Sequence, residues 1–187
     1  MTTVAVVLAA GAGSRFAGET HKLLAPFRST SVIDTVLDAV EGAGFDHVVV
    51  VTGAAGSPPS VLDRPRFRVA HNPRWSEGQA TSLQTGIRVA DELGADAVVV
   101  GLGDQPLVTT DCWRRVASGR TPICVATYEG QRGNPVRLER SVWPLLPTEG
   151  DVGARHVLAH HPEMISEVAC GGSSADIDTQ EDLDQWN

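Results

Sequence analysis

Val4 to Leu8 form an unbroken apolar, mostly β-branched run that ends in a glycine-rich loop, Ala9-Ala-Gly-Ala-Gly-Ser-Arg-Phe16, and this junction narrows the available folds sharply. A strand that is apolar at every position is buried on both faces, as in a parallel sheet covered by helices. Further short apolar runs at His47–Thr52, Arg68–His71, Ala97–Leu102, Pro122–Ala126 and Glu167–Cys170 alternate with amphipathic stretches. That alternation predicts an α/β chain with a mostly parallel sheet and helices on both faces. One helix is expected after Ser31-Val-Ile-Asp34, a capping-box-like start, with Val32, Val36, Leu37 and Val40 on one face and Gly42 and Gly44 at its end. Others are expected at Gln79–Leu93, Thr110–Ala117, Val152–His160 and Thr179–Trp186, with Gly53–Pro65 a surface loop. No repeat or linker divides the chain, so residues 1–187 read as one domain.

The first loop carries chemistry as well as a turn. Gly11 and Gly13 let the backbone bend and bring N–H groups close to an anion, Arg15 offers a planar donor fork, and Lys22 a mobile point charge. The set suits a polyphosphate. It is not a P-loop, because no Gly-Lys-Ser/Thr triplet occurs, and it misses the dinucleotide fingerprint, because Phe16 stands three positions after Gly13 and the next glycine is Gly18. On these residues alone, a phosphate cradle and a tight strand-to-helix turn both remain open.

Ala97–Leu102 runs into Gly103-Asp104, and ligands of open α/β sheets bind beyond the carboxyl ends of strands. Asp104 is therefore a candidate ligand for Mg²⁺, which takes one or two carboxylates plus substrate phosphates, although aspartate also commonly opens a turn such as Asp104-Gln-Pro106. In extended backbone Asp176 and Asp178 share a face, opposite Ile177. Asp178 or Thr179 equally suits the cap of the last helix. Tyr128 to Val136 reads as a hairpin at the crevice rim, with Arg132 and Asn134 available to an acceptor, and Gly150-Asp-Val-Gly-Ala-Arg155 as a helix-opening loop with a second arginine. The histidines form no metal-type array, and the His156/His160 pair lacks the H-E-x-x-H pattern of zinc proteases.

Composition sets the outer bounds. With 15 Lys+Arg against 23 Asp+Glu, the formal charge of -8 disfavours a nucleic-acid surface, so any nucleotide bound is expected to be a small molecule. Cys112, Cys124 and Cys170 show no C-x-x-C spacing, and buried, reduced thiols are expected. No apolar run approaches the roughly 18 residues of a membrane span. The first strand begins without a basic leader, and the chain reads as a soluble, cytoplasmic protein.

Taken together, Leu8-Ala-Ala-Gly-x-Gly-x-Arg-Phe...Lys22-Leu-Leu, Asn72-Pro-Arg-Trp...Glu77-Gly, Gly103-Asp-Gln-Pro106, Arg132-Gly-Asn-Pro135, Gly150-Asp-Val-Gly-Ala-Arg155 and Asp176-Ile-Asp-Thr-Gln-Glu-Asp-Leu183 resemble the MobA-like nucleotidyltransferases, particularly the molybdenum cofactor cytidylyltransferases. The resemblance spans nearly the whole chain, although the stretch between Arg15 and Lys22 is longer than in close relatives, and His21 stands where they often carry proline. It implies a Rossmann-like three-layer sandwich of the nucleotide-diphospho-sugar transferase type. It also implies Mg²⁺ held by Asp104 and Asp178, catalytic cations Arg15 and Lys22, and a nucleotide seat at Leu8, Ala9, Ala10, Gly11, Gly13, Gly78 and Ser82. Arg132, Asn134 and Arg155 are then expected at the acceptor. Leu8-Ala-Ala-Gly11 and Gln79-Ala-Thr-Ser82, set against the Leu-Ala-Gly-Gly and proline-containing stretches of guanylyl-transferring relatives, favour CTP over GTP. The acceptor implied is molybdopterin, with a molybdoenzyme or its chaperone as a further partner. A redox enzyme using NAD(P)H or flavin on the same scaffold, and a non-catalytic cofactor-delivery protein, are the alternatives, since the family includes a member assigned to redox chemistry on a catabolic dye.

Overall fold

In the computed structural model, which describes residues 1–17 and 20–187, the chain folds around a seven-stranded sheet. Gly18 and Glu19, two positions of the first loop, lie outside the described residues. The strands are β1 (Thr3–Ala9), β4 (Val48–Thr52), β5 (Phe67–His71), β6 (Ala97–Leu102), β7 (Ile123–Tyr128), β8 (Gln131–Glu139) and β9 (Ile165–Ala169). A small separate pair, β2 (Pro26–Phe27) and β3 (Thr30–Ser31), precedes the first helix. The helices are α1 (Val32–Ala43), α2 (Gln79–Glu92), α3 (Thr110–Ala117), α4 (Arg155–His160) and α5 (Gln180–Trp186).

The sheet order is β5-β4-β1-β6-β8-β7-β9, parallel throughout except for β8, which runs antiparallel to both β6 and β7. Alternation along β1 splits the core into the two expected sides. Val4 and Val6 pack with Leu83, Ile87 and Ala90 of α2, whereas Ala5 and Val7 pack with Ile33, Val36 and Leu37 of α1 and Trp113 and Val116 of α3. A Cβ on Gly101 would stand 2.4 Å from the Trp113 ring, so this central strand needs glycine where the buried indole lies against it. The fold is therefore the Rossmann-like three-layer sandwich expected from the sequence.

Three expectations are corrected. The Tyr128–Val136 hairpin is not a rim ornament: its second arm extends to Glu139 and enters the main sheet between β6 and β7. Its sequence hid this because Arg132, Gly133, Asn134 and Arg137 interrupt the apolar pattern, and a register shift between Val125 and Ala126 leaves Asn134 and Pro135, joined by a cis bond, out of the ladder. The cysteines are not all free thiols. Cys112 on α3 and Cys170, just past β9, form a disulfide across a Cα–Cα distance of 5.2 Å, and Cys124 is free and buried. Fifty-eight residues separate the pair, so only the packing of α3 beside the end of β9 makes it. Finally, α4 begins at Arg155 rather than Val152.

Candidate nucleotide site

The carboxyl ends of β1, β4 and β6 lie side by side, with Leu8 paired to both Val51 and Leu102, and the loops that follow them open one crevice. Gly13 adopts a positive φ of 62°, and its carbonyl accepts from Phe16 N at 3.0 Å, which curls the first loop back on itself. A Cβ at Gly13 would lie 3.1 Å from His21 Nε2 and 3.2 Å from Lys22 Cγ. His21 ties the ends of the loop: Nε2 hydrogen-bonds the Gly11 carbonyl at 3.0 Å, and Nδ1 accepts from Leu23 N at 3.3 Å. With Nδ1 accepting, Nε2 is the donor to the Gly11 carbonyl, and the two bonds give His21 a positioning role.

The loop delivers Lys22 into a cluster of opposite charge. Its side chain is 9% exposed, and Nζ donates to Asp104 Oδ2 at 2.6 Å and to Asp178 Oδ1 at 2.7 Å, while Arg15 NH2 reaches Asp178 Oδ2 at 2.8 Å. Burial by itself depresses the Lys22 ammonium, but Asp104 and Asp178 outweigh it and hold the group above its ordinary value. Asp104 arrives from the end of β6, and Asp178 from a segment whose Ile177 is fully buried and donates its backbone N–H to the Asp104 carbonyl at 2.8 Å. Thr179, not Asp178, caps α5, in a reciprocal box with Asp182 that leaves the Asp178 carboxylate to the crevice. Asp104 Oδ1 is buried with no hydrogen-bond partner. Two carboxylates converging on one cation, with a spare buried oxygen, form a hard-oxygen donor set of the kind Mg²⁺ prefers, so the residues present fit a divalent ion.

Asp176 sits deeper. Its Oδ1 accepts from Gln105 Nε2 at 2.9 Å, and its carboxyl is raised above the usual range by burial first and by the Asp104 charge next. Gln105 in turn accepts from Asn134 Nδ2 at 3.2 Å, and Tyr128 OH donates to the Asn134 carbonyl at 2.6 Å. The Gly103-Asp-Gln-Pro and Arg132-Gly-Asn-Pro motifs, separate in sequence, therefore touch through Gln105 and Asn134.

Two further parts of the crevice flank this cluster. On one side a cavity of about 490 Å³ is lined by Ala10, Gly11, Trp75, Gly78, Ser82 and Asp151, among others. Ser82 is nearly buried, and its Oγ accepts from Asn72 Nδ2 at 2.9 Å, as does Thr81 Oγ1. Asn72 thereby staples the end of β5 to the first turn of α2, and Ser82 keeps its hydroxyl proton for a ligand. No side chain caps α2. Instead Ala80 N donates to the Gly150 carbonyl at 2.9 Å and Gly150 N to Glu77 O at 3.3 Å, a backbone clasp so close that a Cβ at Gly78 would meet Gly150 O at 2.4 Å. On the other side a cavity of about 360 Å³ has an apolar floor of Leu83, Val100, Leu102, Val125 and Val136, with Arg132, Asn134 and Arg155 at its edge. Arg132 Nε is paired with Glu167 at 2.8 Å, and Arg155 borders both cavities.

The residues singled out from the sequence thus occupy one crevice. Those the sequence reading missed, Asn72, Trp75 and Gln105 as working parts of it, sit inside the recognised motifs but show their contacts only when β5, α2 and β8 are assembled. Among the described residues no group of three or more His, Cys, Asp or Glu side chains is placed to hold a metal, and no helix is long and apolar enough to cross a membrane.

Comparison with known proteins agrees with this architecture. Residues 5–165 match the model of the MobA-like NTP transferase domain. The nicotine blue oxidoreductase of Paenarthrobacter nicotinovorans is 30% identical over 95% of this chain and 93% of its own. The crystal structure of Rv0371c from Mycobacterium tuberculosis superposes with a TM-score of 0.83 at 30% identity, covering 99% of this chain and 97% of that one, and a second structure of Rv0371c, in complex with manganese, matches with a TM-score of 0.75 at 28% identity and covers 100% and 98%. A nucleotidyl transferase from Methanothermobacter thermautotroptrophicus, Mth528, gives 0.80 at 26% identity with coverage of 99% and 97%. With its fold, its crevice and most of its length accounted for, the chain belongs to the MobA-like NTP transferase family.

Proposed function

We propose that this protein is a cytoplasmic, single-domain enzyme that transfers a nucleotidyl group from a nucleoside triphosphate, CTP by preference, to a phosphorylated acceptor of the molybdopterin type and releases pyrophosphate. The observation that carries the reading is the convergence of Asp104, Asp178, Lys22 and Arg15 at the mouth of the glycine-rich loop. Asp104 and Asp178 are the residues that would hold Mg²⁺, which when bound supplies Lewis-acid stabilisation of charge on the phosphates. The manganese complex of Rv0371c is in keeping with a divalent ion in this family.

The chain's own residues supply the rest. Arg15, exposed at the crevice mouth, swings to the leaving pyrophosphate oxygens, Lys22, anchored by its nearly buried stem, turns only its ammonium toward them, and the N–H groups around Gly11 and Gly13 offer further donors. Leu8, Ala9 and Ala10 form the wall beside the nucleotide. Gly78 leaves the base cavity open, the Ser82 hydroxyl donates to a base carbonyl, and the Trp75 indole bounds the same cavity. Transfer to an ionised phosphate needs no general base, consistent with a His21 that is spent on holding the loop. The apolar cavity floored by Leu83, Val100 and Val136 suits the flat face of a heterocycle better than a sugar, and Arg132, Asn134 and Arg155 suit its anionic end. A receiving molybdoenzyme or its chaperone is the partner this chemistry implies.

A second reading, oxidation or reduction with NAD(P)H or flavin, is kept because a relative 30% identical is named an oxidoreductase. A thermal-shift panel of CTP, GTP, ATP, UTP, NADH and NADPH, each with and without Mg²⁺, separates the two, because a ligand that binds only the folded state raises the melting temperature. Nucleotidyl transfer predicts a Mg²⁺-dependent rise with CTP above the other nucleotides. A metal-independent rise confined to a reduced dinucleotide supports the second reading instead.

A further inference from the structure

Lys22 stands where a bound cation would stand. Its ammonium lies 2.6 Å from one carboxylate and 2.7 Å from the other, and its nearly buried stem leaves it little freedom to share the space. A divalent ion bridging Asp104 and Asp178 competes with this ammonium for the same two carboxylates, even with Asp104 Oδ1 unpartnered, because two cations crowded between two half-shielded carboxylates repel each other. Arg15 differs: its side chain is 74% exposed and holds only Asp178 Oδ2, so it can swing away while Lys22 still bridges both carboxylates.

We propose that Lys22 is a resident counter-cation, a positioning residue that occupies the seat between Asp104 and Asp178 in the free protein and yields it to a divalent ion when triphosphate oxygens take over its ammonium. The inference rests on the metal reading given under Proposed function and deepens it. The consequence is a binding order: metal alone binds poorly, and metal and nucleotide enter as a coupled pair. Such coupling is reciprocal, so whatever loosens Lys22 must change both affinities. Together with Arg15 it keeps the paired carboxylates neutralised until substrate arrives, and it disfavours a metal-loaded site without nucleotide.

The test is Mn²⁺ binding followed by electron paramagnetic resonance, with no turnover involved. Wild type, Lys22→Ala and Lys22→Gln are titrated with Mn²⁺ alone and with an α,β-methylene analogue of CTP present. Lys22→Gln keeps a donor and guards against misfolding of the alanine variant, and circular dichroism verifies both folds. We expect either variant to bind Mn²⁺ alone about tenfold more tightly than wild type, and the tightening produced by the analogue to shrink by a comparable factor. Equal or weaker Mn²⁺ binding by both folded variants overturns the inference. Asp104→Asn, made in wild type and in Lys22→Gln, separates the two levels. If it abolishes Mn²⁺ binding while the Lys22 variants bind no more tightly than wild type, the counter-cation role fails and the metal seat stands; if it leaves Mn²⁺ binding intact in both backgrounds, the metal reading falls and takes the inference with it.

Discussion

At the scale of single residues, the site depends on charges that contribute little to packing. Asp104 sits at a strand end outside the apolar core, with one carboxylate oxygen unpartnered and the other on Lys22, so an amide in its place keeps the packing while Asp178 still pairs with the ammonium. Asp104→Asn is therefore expected to lower metal-dependent turnover by about 100-fold or more while the melting temperature stays within a few degrees of wild type. Pyrophosphate release assayed beside a thermal melt checks both halves. Ser82 carries a different expectation. Its hydroxyl is held by Asn72 at the floor of the base cavity, so Ser82→Leu should weaken CTP binding about tenfold or more and leave pyrophosphate binding unchanged, as competition binding would report. Unaltered CTP affinity would move the base elsewhere. Tyr128 gives a pH signature. Burial pushes its phenol above its ordinary value of 10.0, so the folded state resists ionisation that the unfolded chain accepts. The stability it contributes is complete below pH 10 and is lost as the pH rises beyond that. Tyr128→Phe should flatten the alkaline limb of the stability–pH curve, measured by urea unfolding.

Elements place these residues, and their contacts divide what could be read in the sequence from what could not. The strands β1, β4 and β6 were legible because each is an apolar run, though not which of them pair, and Asp104 and Asp178 were legible because both follow strand-like segments at fixed motif positions. β8 was not, because its polar residues serve the crevice: Asn134 turns to Gln105 and Arg132 to Glu167, and function overwrote the strand pattern. The disulfide was equally hidden, since pairing of Cys112 with Cys170 depends on tertiary proximity alone. The clasp between Gly150 and the start of α2 lay beyond any local signal, as backbone bonds leave no side-chain mark. Gly78 has a positive φ of 112° and no room for a Cβ beside Gly150 O, so Gly78→Ala should destabilise the fold by about 2 kcal/mol or more. It should also displace the Gly150–Asp151 loop that lines the proposed base cavity, which would appear as weakened CTP binding in the fraction that folds. A substitution tolerated without loss of stability would mean that the clasp does not hold the two loops together.

Across the whole molecule, the sheet divides the labour along its carboxyl edge. Gly11 to Arg15, Lys22 and the Asp104/Asp178 pair form the middle, the cavity beside Trp75 and Ser82 one flank, and the apolar cavity beneath Arg132 and Arg155 the other. On the proposed reading this layout seats a nucleotide and an acceptor on either side of one charged centre, and it is the paired carboxylates and cations at that centre, which phosphate chemistry uses and hydride transfer does not need, that separate the two readings. The measurement that bears most directly on this account is pyrophosphate release by the purified protein given CTP, Mg²⁺ and molybdopterin, with wild type and Asp104→Asn run in parallel. The account predicts release by wild type that requires Mg²⁺ and the acceptor, and its loss in Asp104→Asn. Equal release by the two proteins, or no release by wild type under conditions where it oxidises NADH or NADPH, would contradict it.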